Sequence, residues 1–520
     1  MLSDAVDSIY SRRQWLQDSN FQDIDAPDLF FTVTILCFII MLYVFFRSLN
    51  NMNWKKTVAA WYLCLMPFSV YALNLGNIPP DEISVYVQEL DSGKVIESHR
   101  ADASVNPAST MKLVTAFSAF EALGKDYRWT TEFKTNGHIE GDSLEGDIYW
   151  VGSGDPVFDQ DGLKDALQQL QNKGIRHIKG SLVLDRHLWG TVGNPPDFES
   201  DAGSPFMTAP DPNMLAYKVV RLRPESDGAG GITVKTSPPL PDIPIENKTV
   251  LSNSGKCGAL QNHMRASYSG GKLHVGGKVP ESCLGGEMHI NMLSAIEFAH
   301  KSFVNQWRAL GGTISDDLKT ALAPSNARTL AVSRSKPLSD ILTDMNKHSN
   351  NLIARSVFLK LGGNGDSETA RRKAAESVSL ELATAGIDTE NLVLENGSGL
   401  SRSERVTAHM MGQMLEKAYF SPFKQEFIDT LPIAGQDGTL KKRLKQPGSR
   451  LRLKTGTLKN VRALAGYWLG NKPMIVVVII NSPKASAYLH DLDALVSQIV
   501  LPGGNDWIDA KLTCKERMAV

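Results

Sequence analysis

Apolar residues near both ends of the chain follow the pattern of β-strands. Residues 84–98, SVYVQELDSGKVIES, alternate apolar and polar side chains around Asp-Ser-Gly-Lys and predict a β-hairpin. Residues 461–470 and 473–482, VRALAGYWLG and PMIVVVIINS, are strand-like, and an amphipathic helix is predicted near 487–500. The same pattern therefore places strands at the two ends of one α/β domain.

Helical spacing appears in two other stretches, separated by a long strand-rich region. Apolar residues recur three and four positions apart after Ser109 and again from Leu338. Between about 130 and 320 the chain has short strands and Gly- and Pro-rich turns, with helical pieces around 160–174 and 292–310. We interpret this as one domain split by an insertion of roughly 190 residues, which must fold as its own unit or units because a structureless loop of that length is implausible.

The N-terminal region contains two apolar segments. Leu29–Phe46 is uncharged and long enough to span a bilayer, whereas residues 52–72 have the basic start, apolar middle and small residues of a signal peptide cut after Ala72. Either translation starts at Met52 and residues 1–51 are a start-site artefact, or the two segments form a membrane hairpin. We favour the start at Met52. Both alternatives export the remainder of the chain, so we expect a periplasmic protein, membrane-anchored if residues 1–51 are real.

Composition limits the classes of partner. The 520 residues are 42% hydrophobic and 21% charged, with a net charge of −1, which is typical of a globular protein. A balanced chain has no electrostatic footprint for nucleic acid, so we expect none as a partner. No Cys/His cluster has zinc spacing, and we expect neither a metal nor a cofactor.

Two of the five cysteines suggest a disulfide. Cys257 and Cys283 flank a hairpin-like stretch, ASYSGGKLHVGGKV, and could be bridged in an oxidising compartment. The alternative is two free, unrelated thiols. Cys514 lies in a polar C-terminal tail, residues 506–520, and has no evident partner.

The first stretch with candidate chemistry is NPASTMKLVTAF, residues 106–117. On a helix, Ser109 and Lys112 would lie one turn apart on the same face. A partly desolvated lysine can hold its neutral, basic form and activate a neighbouring hydroxyl as a nucleophile. The alternative is a serine at a helix start beside a solvated lysine, since Ser-x-x-Lys occurs four times in this sequence.

A second stretch, DMNKHSNNLIARSVF, places Ser349, Asn350 and Asn351 inside a helical pattern. A hydroxyl and a carboxamide there could relay a proton and hold a substrate amide. The alternatives are an ordinary polar helix face or a local break in the helix.

A third stretch, LRLKTGTLKNVRALAGYW, places Lys454, Thr455, Gly456 and Thr457 in a strand-like run. A glycine inside a strand permits another chain to approach the backbone closely. The strand edge could therefore pair with an extended peptide while Lys454 and Thr455 contact its carboxylate. The alternative is an ordinary turn.

Taken in order, Ser-x-x-Lys, Ser-x-Asn and Lys-Thr-Gly resemble the motifs of the penicillin-recognising serine acyl-enzymes. The 240 residues between Ser109 and Ser349 match the class C low-molecular-mass penicillin-binding proteins, the D-alanyl-D-alanine carboxypeptidase/endopeptidase family often called penicillin-binding protein 4. The resemblance covers about residues 80 to 500. It also includes GSGDP at 152–156, ENGSGLSRSERV at 395–406 and LPIAGQDGTLKKR at 431–443.

The resemblance implies a fold and a domain organisation. The fold would be a β-lactamase/transpeptidase-like domain, an antiparallel sheet flanked by helices, split by a mainly β insertion of one or two domains. We predict that residues 73–135 and 321–505 form the catalytic domain and residues 136–320 the insertion.

The resemblance also implies catalytic roles. Ser109 would be the nucleophile and Lys112 the general base that takes its proton. Ser349 would pass a proton to the nitrogen of the leaving D-alanine, with Lys454 close by tuning that relay. Asn351 would bind a substrate backbone amide.

Substrate-binding roles follow in the same way. Thr455, Gly456 and Thr457 would line the substrate, and the oxyanion hole would be the backbone N–H groups of Ser109 and Thr457. The substrate would be peptidoglycan stem peptides, with β-lactams as covalent inhibitors. Peripheral membrane association and the oligomeric state are left open.

The family has a side pocket for diaminopimelic acid, formed by an acidic residue and an aromatic residue five positions later. Asp201 and Phe206 have that spacing, and Arg402 would contact the carboxylate of the diaminopimelate side chain. Lys459 departs from the glutamine of a relative, and a cation there could hold a carboxylate more strongly.

Two rival functions share this scaffold or these motifs. A class A β-lactamase needs a glutamate in a Glu-x-x-Leu-Asn setting, and none occurs between Ser349 and Lys454. A non-catalytic peptidoglycan-binding protein on the same scaffold would have no need of intact Ser109, Lys112 and Lys454.

Overall fold

The structure, a computed structural model, describes residues 73–198, 205–253 and 255–501. All of these residues belong to one compact unit. The predicted extension 1–51, signal peptide 52–72 and tail 506–520 lie outside the described residues. Within the described ranges, no helix is long and apolar enough to cross a membrane.

Strands and helices are numbered in chain order. The strands are β1 Ile83–Glu89, β2 Val95–His99, β3 Thr130–Thr135, β4 His138–Glu140, β5 Ser143–Glu145, β6 Ile148–Val151, β7 His177–Ile178, β8 Leu182–Asp185, β9 Val220–Ser226, β10 Ile232–Ser237, β11 Ile245–Ser252, β12 Arg265–Ser269, β13 Lys272–Pro280, β14 Met288–Ile290, β15 Lys319–Thr320, β16 Arg328–Arg334, β17 Leu451–Leu458, β18 Val461–Trp468 and β19 Met474–Asn481. The helices are α1 Met111–Leu123, α2 Gln160–Asn172, α3 Ala295–Ala309, α4 Leu338–Lys347, α5 Asn351–Leu361, α6 Ser367–Thr384, α7 Ala408–Tyr419, α8 Lys424–Thr430 and α9 Leu489–Val500.

The central sheet is antiparallel and joins the two ends of the described chain. Its strand order is β17-β18-β19-β1-β2, with β1 paired to β19 so that Val85 lies opposite Val478. Alternate residues of β19 enter different cores: Val477 packs in one apolar cluster and Val476 in another. Burial on both faces explains why β19 is a continuous apolar run, and the predicted strands and hairpin at the two ends are confirmed.

Helix α1 lies in the middle of the larger core. Its first ten residues, Met111–Phe120, are all buried. Such a helix is apolar nearly all round, as expected for a core helix. Ser109 is in the short 3-10 turn Ala108–Thr110 that leads directly into α1, so the predicted helical spacing to Lys112 continues across this junction.

The insertion is rich in strands and has its own core. Its sheets have the orders β15-β8-β6-β3-β16, β10-β9-β14, β11-β13-β12 and β4-β5-β7. Helices α2 and α3 contribute to an apolar cluster that contains Phe133, Leu167 and Phe303. Strands β3 and β16 pair with each other in this sheet system, although we predicted them on the catalytic side of the boundaries. The boundaries stay a prediction, and the pairing favours moving them toward 129 and 335.

A disulfide closes one end of the insertion. Cys257 and Cys283 are bonded, with their Cα atoms 4.9 Å apart, so the predicted bridge is confirmed. The stretch between them contains the β12–β13 hairpin, which turns at Gly270 and Gly271. Both glycines have positive φ values, 59° and 73°, which a two-residue hairpin turn requires.

Candidate active site

Ser109 and Lys112 form the centre of a polar cluster at the start of α1. Lys112 Nζ lies 3.1 Å from Ser109 Oγ, and the lysine side chain is fully buried. Burial lowers the pKa of Lys112 to about 7, against an opposing effect of the Glu404 charge. A lysine with this pKa is largely neutral in mildly alkaline solution and can accept a proton from the hydroxyl.

Two further groups fix the amine of Lys112. Its Nζ donates hydrogen bonds to Asn351 Oδ1, at 2.7 Å, and to the backbone carbonyl of Ser398. Asn351 is one of the predicted site residues, whereas Ser398 is not. The Ser398 carbonyl comes from the loop 395–404, which sequence reasoning identified only as a family-like stretch.

Ser349 lies in a sharp turn between two helices. Helix α4 ends at Lys347 and α5 begins at Asn351, so of the alternatives given for this stretch the local break is the one that the structure contains. Ser349 has a φ of 54°, and the Asn350 side chain caps α5 by accepting the N–H of Ile353 at 3.1 Å. The turn points the Ser349 hydroxyl toward Lys454, whose Nζ lies 2.9 Å from it.

Lys454 is the second buried lysine of the site. Its side chain is fully buried on β17, and its Nζ also donates to the backbone carbonyl of Thr455 at 2.8 Å. Burial lowers the pKa of Lys454 well below its ordinary value, and the like charge of Lys112 lowers it further. Both amines are thus placed where their neutral forms are favoured.

Gly456 is needed for the nucleophile segment to pack on β17. A Cβ atom at this position would lie 2.7 Å from the carbonyl oxygen of Pro107 and 3.3 Å from Ala108 Cβ. Sequence reasoning expected a close approach by another chain at this glycine. The segment that makes the approach is the chain's own turn carrying Ser109.

The predicted residues converge on one cavity of about 770 Å³. The site residues that line it are Ser109, Ser349, Asn351, Thr455, Thr457, Arg402, Lys459 and Phe206. Sequence reasoning missed further lining residues, namely Asp197, Phe198, Gly399, Leu400, Thr439, Arg462 and Ser486. Of these, Thr439 accepts a hydrogen bond from the Thr455 hydroxyl at 2.8 Å and comes from the family-like stretch 431–443.

The wall of the cavity near the insertion is basic and aromatic. The Arg402 guanidinium lies over the Phe198 ring, 4.6 Å from its centroid, and Phe206 is 47% exposed. Asp201 lies outside the described residues, and Asp197 is a carboxylate of the described cavity wall. Asn351 donates to the Phe206 backbone carbonyl at 3.1 Å, so its carboxamide is engaged at both ends.

In the described part of the chain, no group of three or more His, Cys, Asp or Glu side chains is arranged to hold a metal ion. The chemistry of this site rests on two hydroxyls and two desolvated amines. That set suits acyl transfer to a serine.

The chain is similar to known D-alanyl-D-alanine carboxypeptidases. Residues 68–498 match the model of the D-Ala-D-Ala carboxypeptidase 3 (S13) family. The chain is 27% identical to the D-alanyl-D-alanine carboxypeptidase DacB of Haemophilus influenzae over 74% of its length and 82% of the relative's. It is 25% identical to the D-alanyl-D-alanine carboxypeptidase of Actinomadura sp. strain R39, over 76% and 77% of the two chains.

A solved structure shares the fold. The crystal structure of penicillin binding protein 4 from Haemophilus influenzae superposes with a TM-score of 0.63 and 25% identity, covering 80% of this chain and 93% of that one. The predicted fold, a catalytic α/β domain with an antiparallel sheet and a large insertion, is therefore confirmed.

Proposed function

Because the chain belongs to the D-Ala-D-Ala carboxypeptidase 3 (S13) family, we propose that it cleaves D-alanyl peptide bonds of peptidoglycan stem peptides through an acyl-enzyme on Ser109. The terminal D-Ala-D-Ala bond would be cut in carboxypeptidase action, and a D-Ala cross-link in endopeptidase action. The observation that carries the proposal is the 3.1 Å separation between Ser109 Oγ and the buried amine of Lys112, whose pKa is lowered to about 7.

Acylation would begin with Lys112 in its neutral form. Its amine accepts the Ser109 proton while Oγ attacks the carbonyl carbon of the penultimate D-alanine. The negative charge on the carbonyl oxygen would be stabilised by the backbone N–H groups of Ser109 and Thr457, an arrangement worth about 3 kcal/mol per donor in serine hydrolases.

Departure of the leaving group requires a proton on its nitrogen. Ser349, 2.9 Å from Lys454 Nζ, would donate that proton while the C–N bond breaks. The proton that Lys112 took from Ser109 would pass to Lys454 and from it to Ser349, so that both amines are neutral again. Water would then attack the ester. Neutral Lys112 takes a proton from the water and gives it to Ser109 Oγ as the ester bond breaks, which releases the shortened peptide.

The side pocket would bind the side chain of the third residue of the stem peptide. Arg402 and Lys459 place two cations on the cavity wall, and Phe198 supplies an aromatic face beneath Arg402. A diaminopimelate side chain carries a carboxylate that these cations can bind, and a lysine side chain does not. Phe206 and Asp201 keep their proposed place in this pocket, and Asp197 is added to it.

β-Lactams should acylate the same serine. The H. influenzae protein that shares the fold is named a penicillin binding protein, and the β-lactam amide presents a carbonyl carbon and a carboxylate at the separation of a D-Ala-D-Ala end. Lys454 and Thr455 would contact that carboxylate. The substrate and the predicted signal peptide together support a periplasmic location.

Exposure to a fluorescent penicillin, followed by peptide mapping, tests the proposal. We expect one covalent adduct on Ser109, slow release of hydrolysed drug and release of D-alanine from a pentapeptide. A Ser109→Ala variant is the control and should give no adduct and no D-alanine. Absence of any adduct on the wild-type protein would favour the non-catalytic rival, and rapid turnover of the drug would favour a β-lactamase.

The Arg402→Ala variant should lose selectivity for diaminopimelate. A charge-assisted bidentate contact contributes about 1.5–3 kcal/mol, so kcat/KM for a diaminopimelate peptide should fall about tenfold to a hundredfold. Acylation by penicillin should change little, because penicillin has no second carboxylate. The measurement compares peptides that differ only in diaminopimelate against lysine.

Lys459 can hold the same carboxylate and mask part of this loss. The Arg402→Ala, Lys459→Ala double variant should therefore lose more than either single variant. Equal losses on both peptides would show that Arg402 has a structural role and would contradict its part in specificity.

A further inference from the structure

The loop 395–404 is organised around one buried carboxylate. Glu404 is fully buried, and its Oε1 accepts the backbone N–H groups of Glu395, Asn396 and Gly397 at 3.3, 2.9 and 2.9 Å. Its Oε2 accepts the N–H of Gly399 at 2.9 Å. Burial raises the pKa of Glu404, and the charge of Glu395 adds to this effect, whereas the backbone N–H donors oppose it. Every one of these bonds is donated to the carboxyl group, which is the pattern of an ionised carboxylate.

The same loop is hydrogen-bonded to helix α1 through two consecutive residues. The Gly397 carbonyl accepts the Thr115 hydroxyl at 2.6 Å, and the Ser398 carbonyl accepts Lys112 Nζ. Gly399 packs against the turn that carries Ser109. The backbone conformation that Glu404 imposes on residues 395–399 therefore decides where the Ser398 carbonyl lies.

The Ser398 carbonyl matters because a neutral amine has few N–H bonds to donate. Neutral Lys112 has two N–H bonds and one lone pair. If Asn351 Oδ1 and the Ser398 carbonyl each accept one N–H, the lone pair is left to face Ser109, the only other contact of Nζ that the structure gives. Loss of the Ser398 acceptor would free the amine to rotate an N–H toward Ser109.

We infer that Glu404 is a positioning residue for the base: by binding four backbone N–H groups it holds the Ser398 carbonyl where it orients the Lys112 amine toward Ser109. This inference rests on the proposed function only in taking Lys112 as the base. Glu404 does not line the cavity in which substrate would bind, so it acts through the loop.

The charge of Glu404 supplies an independent readout. Burial lowers the pKa of Lys112 and the Glu404 carboxylate raises it, so removal of this charge should lower that pKa further. From the other side of Lys112, the β17 residue Lys454 contributes a like charge when protonated, and Glu395 lies beside Glu404 in the loop. The charged residues of the open cavity are Asp197, Arg402, Lys459 and Arg462.

The Glu404→Gln variant is the test, measured as acylation by a chromogenic β-lactam across a pH series. The amide removes the charge and places an NH₂ group against the Gly399 N–H. We expect the first-order acylation rate constant on the alkaline plateau to fall about tenfold to a hundredfold, with an unchanged dissociation constant for the β-lactam. The acidic limb of the profile should move to lower pH.

Glu395→Gln is the matched control, because it makes the same substitution in the same loop. The Glu395 carboxylate accepts the Ser401 and Ser403 hydroxyls, not the backbone N–H groups that shape the loop. This variant should keep the wild-type rate constant and the wild-type limb. Similar losses in both variants, or a wild-type profile for Glu404→Gln, would overturn the inference.

A second variant covers failure of Glu404→Gln to fold. Glu404→Asp keeps the charge but shortens the side chain, so its limb should stay at the wild-type pH while its plateau rate constant falls. A wild-type plateau for the aspartate variant would overturn the inference. Failure of the proposed function is distinguishable, since the wild-type protein itself would then form no acyl-enzyme.

Discussion

Replacing Lys112 with methionine should leave the protein folded and reduce penicillin acylation by about a hundredfold to ten-thousandfold, the usual contribution of a general base. Methionine fills most of the volume of the buried lysine stem and removes the amine next to Ser109. The measurement is the second-order acylation rate constant at pH 8, with thermal unfolding as the check on folding.

The sign of the stability change separates loss of catalysis from loss of fold. The pKa of Lys112 is lowered in the folded protein to about 7, so the unfolded chain binds this proton more tightly and buried Lys112 costs stability at neutral pH. This cost in the free energy of unfolding is fully present below pH 7. It decreases as the pH rises above 7 and is absent above the pKa of an unfolded lysine. Lys112→Met should therefore be at least as stable as the wild type at pH 7.

The wild-type profile provides the complementary observation. Since only neutral Lys112 can accept the proton, acylation should rise with pH through about 7 and then level off. A Lys112→Met protein that labels at the wild-type rate would contradict the mechanism. So would a wild-type rate that is already maximal at pH 5.

Replacing Gly399 with alanine, which adds a single methyl group, should reduce the acylation rate constant about a hundredfold. A Cβ atom there would lie 1.9 Å from the Ala108 carbonyl oxygen and 2.6 Å from the Ser109 nitrogen, and the φ of 79° is unfavourable for alanine. The Ser109 turn or the loop must then move, and a displacement of about 1 Å in an active site costs on the order of a hundredfold. The measurement is the acylation rate constant of Gly399→Ala.

Gly386→Ala is the matched control for backbone strain. Gly386 has a φ of 77°, but a Cβ atom there would meet nothing within 4 Å. It should show a small loss of stability, about 1 kcal/mol, and unchanged acylation. If both alanine variants acylate alike, the contact between Gly399 and the Ser109 turn has no catalytic importance.

Sequence reasoning predicted the elements whose side-chain pattern is local. The hairpin at 84–98, the strands after residue 460 and the helix near 487–500 all form where their periodicity placed them. It also singled out Ser109, Ser349 and the Lys-Thr-Gly stretch, which the fold brings into one cavity although the chain separates them widely.

The contacts that sequence reasoning missed are mainly made by the backbone. The Ser398 carbonyl binds Lys112, but any residue supplies a carbonyl, so no residue type at this position indicates the contact. The signal that was present is Glu404, which closes a stretch rich in Gly and Ser. The break at Ser349 was one of the alternatives, but the pattern could not decide between them, because an apolar spacing that persists across a turn looks the same as a continuous helix.

The pairing of β1 with β19 makes completion of the central sheet depend on both ends of the described chain. In the sheet order β17-β18-β19-β1-β2, the β1–β2 hairpin joins the sheet only through β19, the last of the described strands in chain order. The sheets of the insertion, in contrast, are built from strands that all end at or before Arg334. The chain between β1 and β19 forms a long loop, and closing it costs conformational entropy. We therefore expect the Ser109 turn to meet Ser349 and Lys454 only at the end of folding. A chain that stops before β19 would contain Ser109 and Lys112 but would lack the strand that joins β1 to β18, so we expect it to have no assembled site and no hydrolytic activity.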